Sequence, residues 1–287
     1  MRPSLNIRVM TRADLPFADA VRSQAGWNQT PADWKRFLAM EPGGCFVAEW
    51  DGRPAGTATT IVYGPELAWI GMVLVHPEFR RLGIGSALLE RCIGSLRERG
   101  VRCIKLDATP LGKMVYDRLG FKTEWTLARW ERPAALSRQA ASGKGIRKLR
   151  ETDLPLIEPV DTAAFGTPRI RLLRALAVDG TGVVAAGTGG GKLEGYALSR
   201  PGRHARYLGP CSASGTEAGI RLMHSLVAKS TCARMFWDIP DANEAAVGWA
   251  RRNGFTQQRT LIRMHLGDNA APGDPAKQFA IAAPEVG

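Results

Sequence analysis

The sequence predicts a mixed α/β fold that occurs twice, as two lobes in tandem. Residues 68–75 form a mostly apolar run, as expected for a buried central strand. From Ile84 onward, apolar residues recur at i, i+3, i+4, i+8 and i+12, which places them on one face of a helix. Residues 7–16 (IRVMTRADLP) are echoed by residues 146–155 (IRKLRETDLP). A recurrence of this kind indicates two divergent copies of one unit.

Local patterns justify the elements of the first copy in order. Residues 7–10 predict a short strand, and Asp14-Leu-Pro16 opens a helix. Two strands, 45–50 and 55–62, flank the hairpin turn Asp51-Gly52. After the central strand and its helix come a strand over 101–106, a helix over 111–118 that ends at Gly120, and a final strand from Phe121.

The same reasoning divides the 287 residues into four segments. The first lobe covers residues 1–133 and the second covers 145–267. Residues 134–144 are rich in Ala, Ser and Gly and predict a linker. Residues 268–287 are rich in Ala, Pro and Gly, so we expect a flexible tail.

Composition excludes several classes of protein. Apolar residues make up 45% of the chain, yet no apolar run reaches the ~18 residues of a membrane span. The first residues lack the apolar stretch of a signal peptide, so we expect a cytoplasmic protein. Five cysteines without a CxxC pair argue against a disulfide framework and a structural zinc site. The net charge of +12 favours a polyanionic partner, either nucleic acid or a phosphorylated small molecule.

The segment between the central strand and the following helix predicts an anion-binding loop. Its sequence from Val75 is VHPEFRRLGIGS, in which glycines permit a close backbone approach and the new helix offers free N–H groups. It is not a dinucleotide fingerprint, because Leu88 stands where the third glycine belongs, and no Gly-Lys-Ser/Thr of a P-loop follows. A glycine run at 187–192 lacks the first glycine and the hydroxyl residue of a P-loop, so we expect a hairpin turn there.

Arg80-x-x-Gly83-x-Gly85, followed by Tyr116-x-x-x-Gly120-Phe121, resembles the pyrophosphate and proton-donor motifs of the GNAT acyl-CoA N-acyltransferases. The resemblance is strong over residues 5–131 and weaker over the second half, which resembles the companion lobe of tandem GNAT proteins. It implies a mostly antiparallel mixed sheet flanked by helices in each lobe, acetyl-CoA as acyl donor and no metal. It further implies that Tyr116 is the general acid. The implied acetyl-CoA contacts are Val73, Leu74, Val75, Arg80, Arg81, Leu82, Gly83, Ile84, Gly85 and Ser86.

The second copy departs from the motif. The segment that corresponds to the anion-binding loop, residues 209–219, has no arginine and carries Glu217, which would repel a pyrophosphate. Ala250 stands opposite Tyr116. We therefore expect the second lobe to bind no CoA and to wall the acceptor site instead.

The remaining site residues are open choices. Glu66 and Asp161 are candidate general bases, and a chain of waters would also serve. Trp27 and Asn28 are candidates for the acceptor wall, or for a helix-connecting turn. Arg169 could bind an acceptor carboxylate, or lie on a solvated helix face.

The leading prediction is an N-acetyltransferase that acts on a primary amine of a small molecule by direct attack in a ternary complex. Two alternatives remain: an enzyme that acetylates a protein α-amine or lysine, and a CoA-binding sensor without catalysis. We expect neither a nucleic-acid nor a membrane partner, because the basic residues do not cluster. The sequence leaves open the acceptor, the acyl-chain preference and whether the protein is a monomer or a homodimer.

Overall fold

The structure, a computed structural model, describes residues 4–134, 143, 145–187, 192–230 and 234–287. The predicted linker therefore lies almost wholly outside the described residues, as does most of the glycine run at 187–192. None of the described helices is both long and apolar enough to cross a membrane.

The first half contains the strands and helices predicted from its sequence, with boundaries that differ by about two residues. In order they are β1 (Leu5–Val9), α1 (Leu15–Gln24), α2 (Pro31–Met40), β2 (Cys45–Trp50), β3 (Arg53–Gly64), β4 (Leu67–Val75), α3 (Ile84–Glu98), β5 (Cys103–Ala108), α4 (Pro110–Arg118) and β6 (Lys122–Arg132). Asp51 and Gly52 both have positive φ, at 48° and 76°, as the tight turn between β2 and β3 requires.

The second half repeats this order, which confirms the internal repeat. Its elements are β7 (Ile146–Lys148), α5 (Leu154–Phe165), α6 (Ile170–Asp179), β8 (Thr181–Ala186), β9 (Leu193–Arg200), β10 (Arg206–Ala213), α7 (Thr216–Lys229), β11 (Met235–Pro240), α8 (Glu244–Arg252) and β12 (Thr256–Gly267), followed by β13 (Gln278–Ala280). The echoed motif even forms the same ion pair in each half. Arg8 contacts Asp14 at 2.7 Å, and Arg147 contacts Asp153 at 2.7 Å.

A single mixed sheet runs through both halves, because the halves exchange their last long strands. Among the described strands the order is β1-β2-β3-β4-β5-β12-β6-β11-β10-β9-β8-β7. Strand β12 of the second half lies between β5 and β6 of the first, and β6 pairs with β11 of the second. The pairs β4–β5 and β10–β11 are parallel, whereas all other adjacent pairs are antiparallel. The two lobes therefore share one hydrogen-bonded framework.

The segment after β12 is not the flexible tail that its composition suggested. Residues 275–277 form a helical turn, β13 pairs with β10, and residues 278–287 are all buried or partly buried. Hydrogen bonds from Trp237 Nε1 to Phe279 O (2.7 Å), from Trp69 Nε1 to Pro284 O (2.9 Å) and from Tyr63 Oη to Val286 O (2.6 Å) hold it. Its apolar run, FAIAA, supplies the burial that outweighs the flexibility of its small residues.

Candidate active site

The predicted anion-binding loop forms a concave surface at the start of α3. Arg81 and Gly83 both adopt the left-handed conformation, with φ of 65° and 79°, and this turns the chain so that α3 begins at Ile84. Arg80 and Arg81 form no ion pair with any carboxylate in the described part of the chain and are exposed to solvent. Free N–H groups at a helix start and two uncommitted guanidinium groups make a site for a pyrophosphate.

The central strand separates from its parallel neighbour beside this loop. Strand β4 pairs with β5 only over residues 67–69, and no described strand pairs with residues 70–75 on that side. A bulge at Met72, whose φ is 51°, shifts the register between β3 and β4. Thr57 Oγ1 donates a hydrogen bond to Met72 O at 2.9 Å and fixes the bulge. The predicted splay of this strand is confirmed.

Two adjoining cavities meet at Val73 and Tyr116. The outer cavity, of about 330 Å³, is lined by the anion-binding loop and α4. Of the predicted acetyl-CoA contacts, it is lined by Val73, Val75, Arg80, Arg81, Gly83, Ile84, Gly85 and Ser86. Leu74 and Leu82 do not line it: Leu74 points to the opposite face of β4 and is buried in the core, whereas the Leu82 side chain is 45% exposed.

Tyr116 lies at the junction of the two cavities, on α4. Its ring packs against Phe121 with the centroids 5.9 Å apart, and its hydroxyl forms no hydrogen bond to another described residue. Burial raises the pKa of Tyr116 to about 12, so its hydroxyl keeps its proton at physiological pH. A neutral phenol aimed at a cavity can donate that proton to a leaving group.

The inner cavity, of about 60 Å³, is walled by both halves of the chain. Trp27 lines it, as predicted, together with Gln29 from the same loop. Arg259 of β12 and Glu285 of the buried C-terminal segment complete the wall. Gly71 of β4 allows this approach, because a side chain there would collide with the main chain of Glu285.

The charged groups of the inner cavity differ in their partners. Asp107 accepts two hydrogen bonds from Arg263, each 2.9 Å long, and burial raises its pKa. Burial also raises the pKa of Glu285, whose Oε1 lies 3.5 Å from Arg200 Nη2. Arg259 has no ion pair in the described residues, and burial lowers its pKa.

Neither candidate base from the sequence lies in this site. Glu66 precedes β4, roughly 20 Å along the strand from Val73 at about 3.3 Å per residue, and forms an exposed ion pair with Arg102. Asp161 and Arg169 are both buried and are bound to each other by two hydrogen bonds of 2.9 Å. Asp161 also accepts a hydrogen bond from Tyr196, so both residues are committed to a structural network.

Asn28 adjoins the site but joins the two halves of the chain. Its Oδ1 accepts from the main-chain N–H groups of His204 (2.9 Å) and Ala205 (3.0 Å), and its Nδ2 donates to Ala205 O at 3.0 Å. With its amide fully used, Asn28 positions the loop that carries Trp27. The predicted role in contacting the acceptor therefore passes to Trp27 and Gln29.

In the second half, the protein's own chain fills the corresponding cleft. Strands β10 and β11 pair over residues 206–208 and 235–237 and then separate, as β4 and β5 do. Here β13 pairs with β10 along the opened edge, and the Phe279 ring packs directly over Gly219 of α7. Glu217 is exposed beside it. This arrangement supports the expectation that the second lobe binds no CoA.

Sequence reasoning missed Arg259, Glu285 and Asp107. Asp107 follows directly from the predicted strand 101–106, at the end that faces the site, which was a usable signal. The apolar run FAIAA before Glu285 was a second signal, because it indicates burial. Arg259 carried none, since its place beside β5 depends on the exchange of strands.

Comparison with known proteins agrees with this geometry. Residues 14–121 match the family model described as Acetyltransferase (GNAT) family, and residues 157–280 match that of an Acetyltransferase (GNAT) domain. The chain is 28% identical over 162 residues to an uncharacterized N-acetyltransferase, YitH, of Bacillus subtilis, which covers 56% of this chain and 57% of that protein. The chain thus spans about half the length of the curated relatives it matches.

Two solved structures share the fold over nearly the whole chain. A Pyrococcus horikoshii protein described as a candidate acetyltransferase superposes with a TM-score of 0.83 at 22% identity, covering 99% of this chain and 96% of that one. A tandem GNAT protein from the clavulanic acid biosynthesis pathway gives a TM-score of 0.64 at 14% identity, covering 92% and 98%. At these identities the likeness concerns the fold alone.

Proposed function

Because the chain belongs to the GNAT acetyltransferases, with two such domains in tandem, we propose that it transfers an acetyl group from acetyl-CoA to a small-molecule amine. One observation carries the proposal. An anion-binding helix start, a splayed strand and a buried tyrosine meet around one pair of connected cavities.

The outer cavity suits the acyl donor. The diphosphate of CoA would rest on the N–H groups from Gly83 to Ser86, with Arg80 and Arg81 as counter-charges. The pantetheine arm would lie along the open edge of β4, where main-chain groups stand without a strand partner. The thioester would then sit at the bulge near Val73, beside Tyr116.

The reaction follows from that placement. The amine nitrogen attacks the thioester carbonyl carbon, a C–N bond forms, and the C–S bond breaks. Main-chain N–H groups at the splayed strand would stabilise the developing oxyanion, worth roughly 3–4 kcal/mol for each well-placed donor. Tyr116 donates its proton to the departing thiolate. Holding both substrates in adjoining cavities supplies much of the acceleration.

The walls of the inner cavity favour a small acceptor over a protein. Trp27, Arg259 and Glu285 enclose it from the first half, the second half and the C-terminal segment. A protein α-amine or lysine would need an open groove for its flanking chain. The second half and the segment that follows it lie where such a groove would run.

The first test is the binding of acetyl-CoA by isothermal titration calorimetry. We expect wild-type protein to bind and Gly85→Glu to show no measurable binding, because the new carboxylate would project toward the diphosphate. Gly85 has room for a side chain, with only Val75 Cγ2 nearby at 3.7 Å, so the fold should survive. Gly94→Glu on the same helix is the matched control, since Gly94 faces open space away from the cavities.

The second test is CoA release with a panel of small amines. Release with at least one amine is expected. Binding of acetyl-CoA without release for any amine would favour the CoA-sensor alternative. Wild-type affinity in Gly85→Glu would show that the donor docks elsewhere.

A further inference from the structure

The inner cavity contains a guanidinium without a counter-charge. Arg259 lines the cavity, and its Nε is buried with no hydrogen-bond partner among the described residues. Removing a charged group from water without a partner is unfavourable, so a bound anion would stabilise this side chain. Guanidinium groups bind carboxylates through two parallel hydrogen bonds, which also fixes orientation.

The neighbouring charges do not meet this need. Asp107 is held by Arg263 through two hydrogen bonds of 2.9 Å. Glu285 lines the same cavity but forms its ion pair with Arg200 rather than with Arg259. The cavity therefore presents a free positive group and a separate carboxylate.

We propose that the acceptor is an amine that also carries a carboxylate, such as an amino acid, with its carboxylate on Arg259 and its amine facing Glu285. The proposal rests on the proposed function. It adds a proton acceptor to that reaction: the ammonium group gives one proton to Glu285 and becomes nucleophilic. After attack and loss of the thiolate, Tyr116 supplies the proton that converts the thiolate to free CoA, and solvent takes the second proton from nitrogen.

The test compares free amino acids with their primary amides, which keep the amine and nearly the same shape but lose the negative charge. CoA release is measured at saturating acetyl-CoA, and Tm shifts are measured in the presence of CoA. We expect at least one amino acid to be acetylated with kcat/KM at least ~10-fold above its amide, the factor that about 1.4 kcal/mol gives. The same amino acid should raise the Tm.

Two variants separate the roles of the two charges. Arg259→Gln should lower kcat/KM for the amino acid by ~100-fold and leave the amide unchanged, because it removes only the carboxylate contact. Glu285→Gln should lower both substrates together, because both share the amine. Arg252→Gln on α8, which is exposed and outside the cavity, is the control for loss of an arginine.

Equal turnover of acid and amide, or an equal loss for both in Arg259→Gln, would overturn the proposal while leaving the N-acetyltransferase activity in place. A panel in which no amino acid is acetylated or shifts the Tm, although other amines are turned over, would overturn it too. If no amine of any class releases CoA, the proposed function itself fails, and this inference fails with it.

Discussion

Replacing Tyr116 by Phe isolates a single hydroxyl at the junction of the two cavities. The ring would keep its packing against Phe121, whose centroid lies 5.9 Å away. The hydroxyl has no hydrogen-bond partner in the described part of the chain, so its loss leaves no orphaned group behind. We therefore expect the free energy of unfolding to change by less than about 0.5 kcal/mol.

The effect on turnover should be much larger. General acid catalysis typically contributes 10²–10⁴-fold, so kcat should fall by about 100-fold or more, equivalent to ~2.7 kcal/mol of transition-state stabilisation. The dissociation constant for acetyl-CoA should stay within about twofold, because Tyr116 meets the donor only near its sulphur. A loss in kcat at constant donor affinity is typical of a contact made in the transition state.

The pH dependence provides a second check. Burial raises the pKa of Tyr116 to about 12, so the hydroxyl stays protonated well past the point where an ordinary tyrosine ionises. The folded state favours the neutral form, so this contribution to stability is present below about pH 10 and is lost as the pH rises toward 12. We expect no alkaline loss of kcat from Tyr116 between pH 8 and pH 10.

Stopped-flow or thiol-trapping measurements of CoA release would give kcat, and calorimetry would give the donor affinity. Turnover of Tyr116→Phe within threefold of wild type would refute the role of this hydroxyl as the acid. A large drop in Tm would instead show that the hydroxyl supports the fold.

Three further predictions concern the framework around the site. Phe279→Ala should cost about 3–5 kcal/mol in urea unfolding because it leaves a cavity in the second half; a cost below 1 kcal/mol would mean that the cleft collapses freely. Asp161→Asn should cost about 3–5 kcal/mol because it strands the buried charge of Arg169, and acetyl-CoA affinity should not change; lost affinity would place Asp161 nearer the site than the structure does. A fragment of residues 1–134 should show no cooperative thermal transition by circular dichroism because its sheet lacks the exchanged strand, and co-expression with residues 145–287 should restore one. Cooperative unfolding of the fragment alone would show that the exchange is dispensable.

The donor side of the site was predictable because its signals are local in the chain. A helix start with glycines at fixed spacing forms the same anion-binding surface wherever a strand precedes it, and Gly83 and Gly85 stand at the predicted places. The hairpin at Asp51-Gly52 and the apolar face of α3 are likewise properties of a few consecutive residues. For these elements, short-range geometry leaves few alternatives.

The acceptor side depended on contacts between distant residues. Glu66 and Asp161 were reasonable bases by residue type, but the start of β4 and the Arg169 ion pair place them away from the cavity. Arg259 and Glu285 enter it from segments that follow the whole second copy. No periodicity in the chain encodes such an approach.

The amino-acid sequence by itself determined that this chain folds as two α/β copies and that the first carries an anion-binding helix start, because both follow from spacing along the backbone. Only the tertiary structure decided that β6 and β12 change places and that the final segment closes the cleft of one half while walling the cavity of the other. The reason is that strand exchange leaves the local pattern of each strand unchanged. It alters only which neighbour accepts its hydrogen bonds, and that choice is made by the packing of the complete chain.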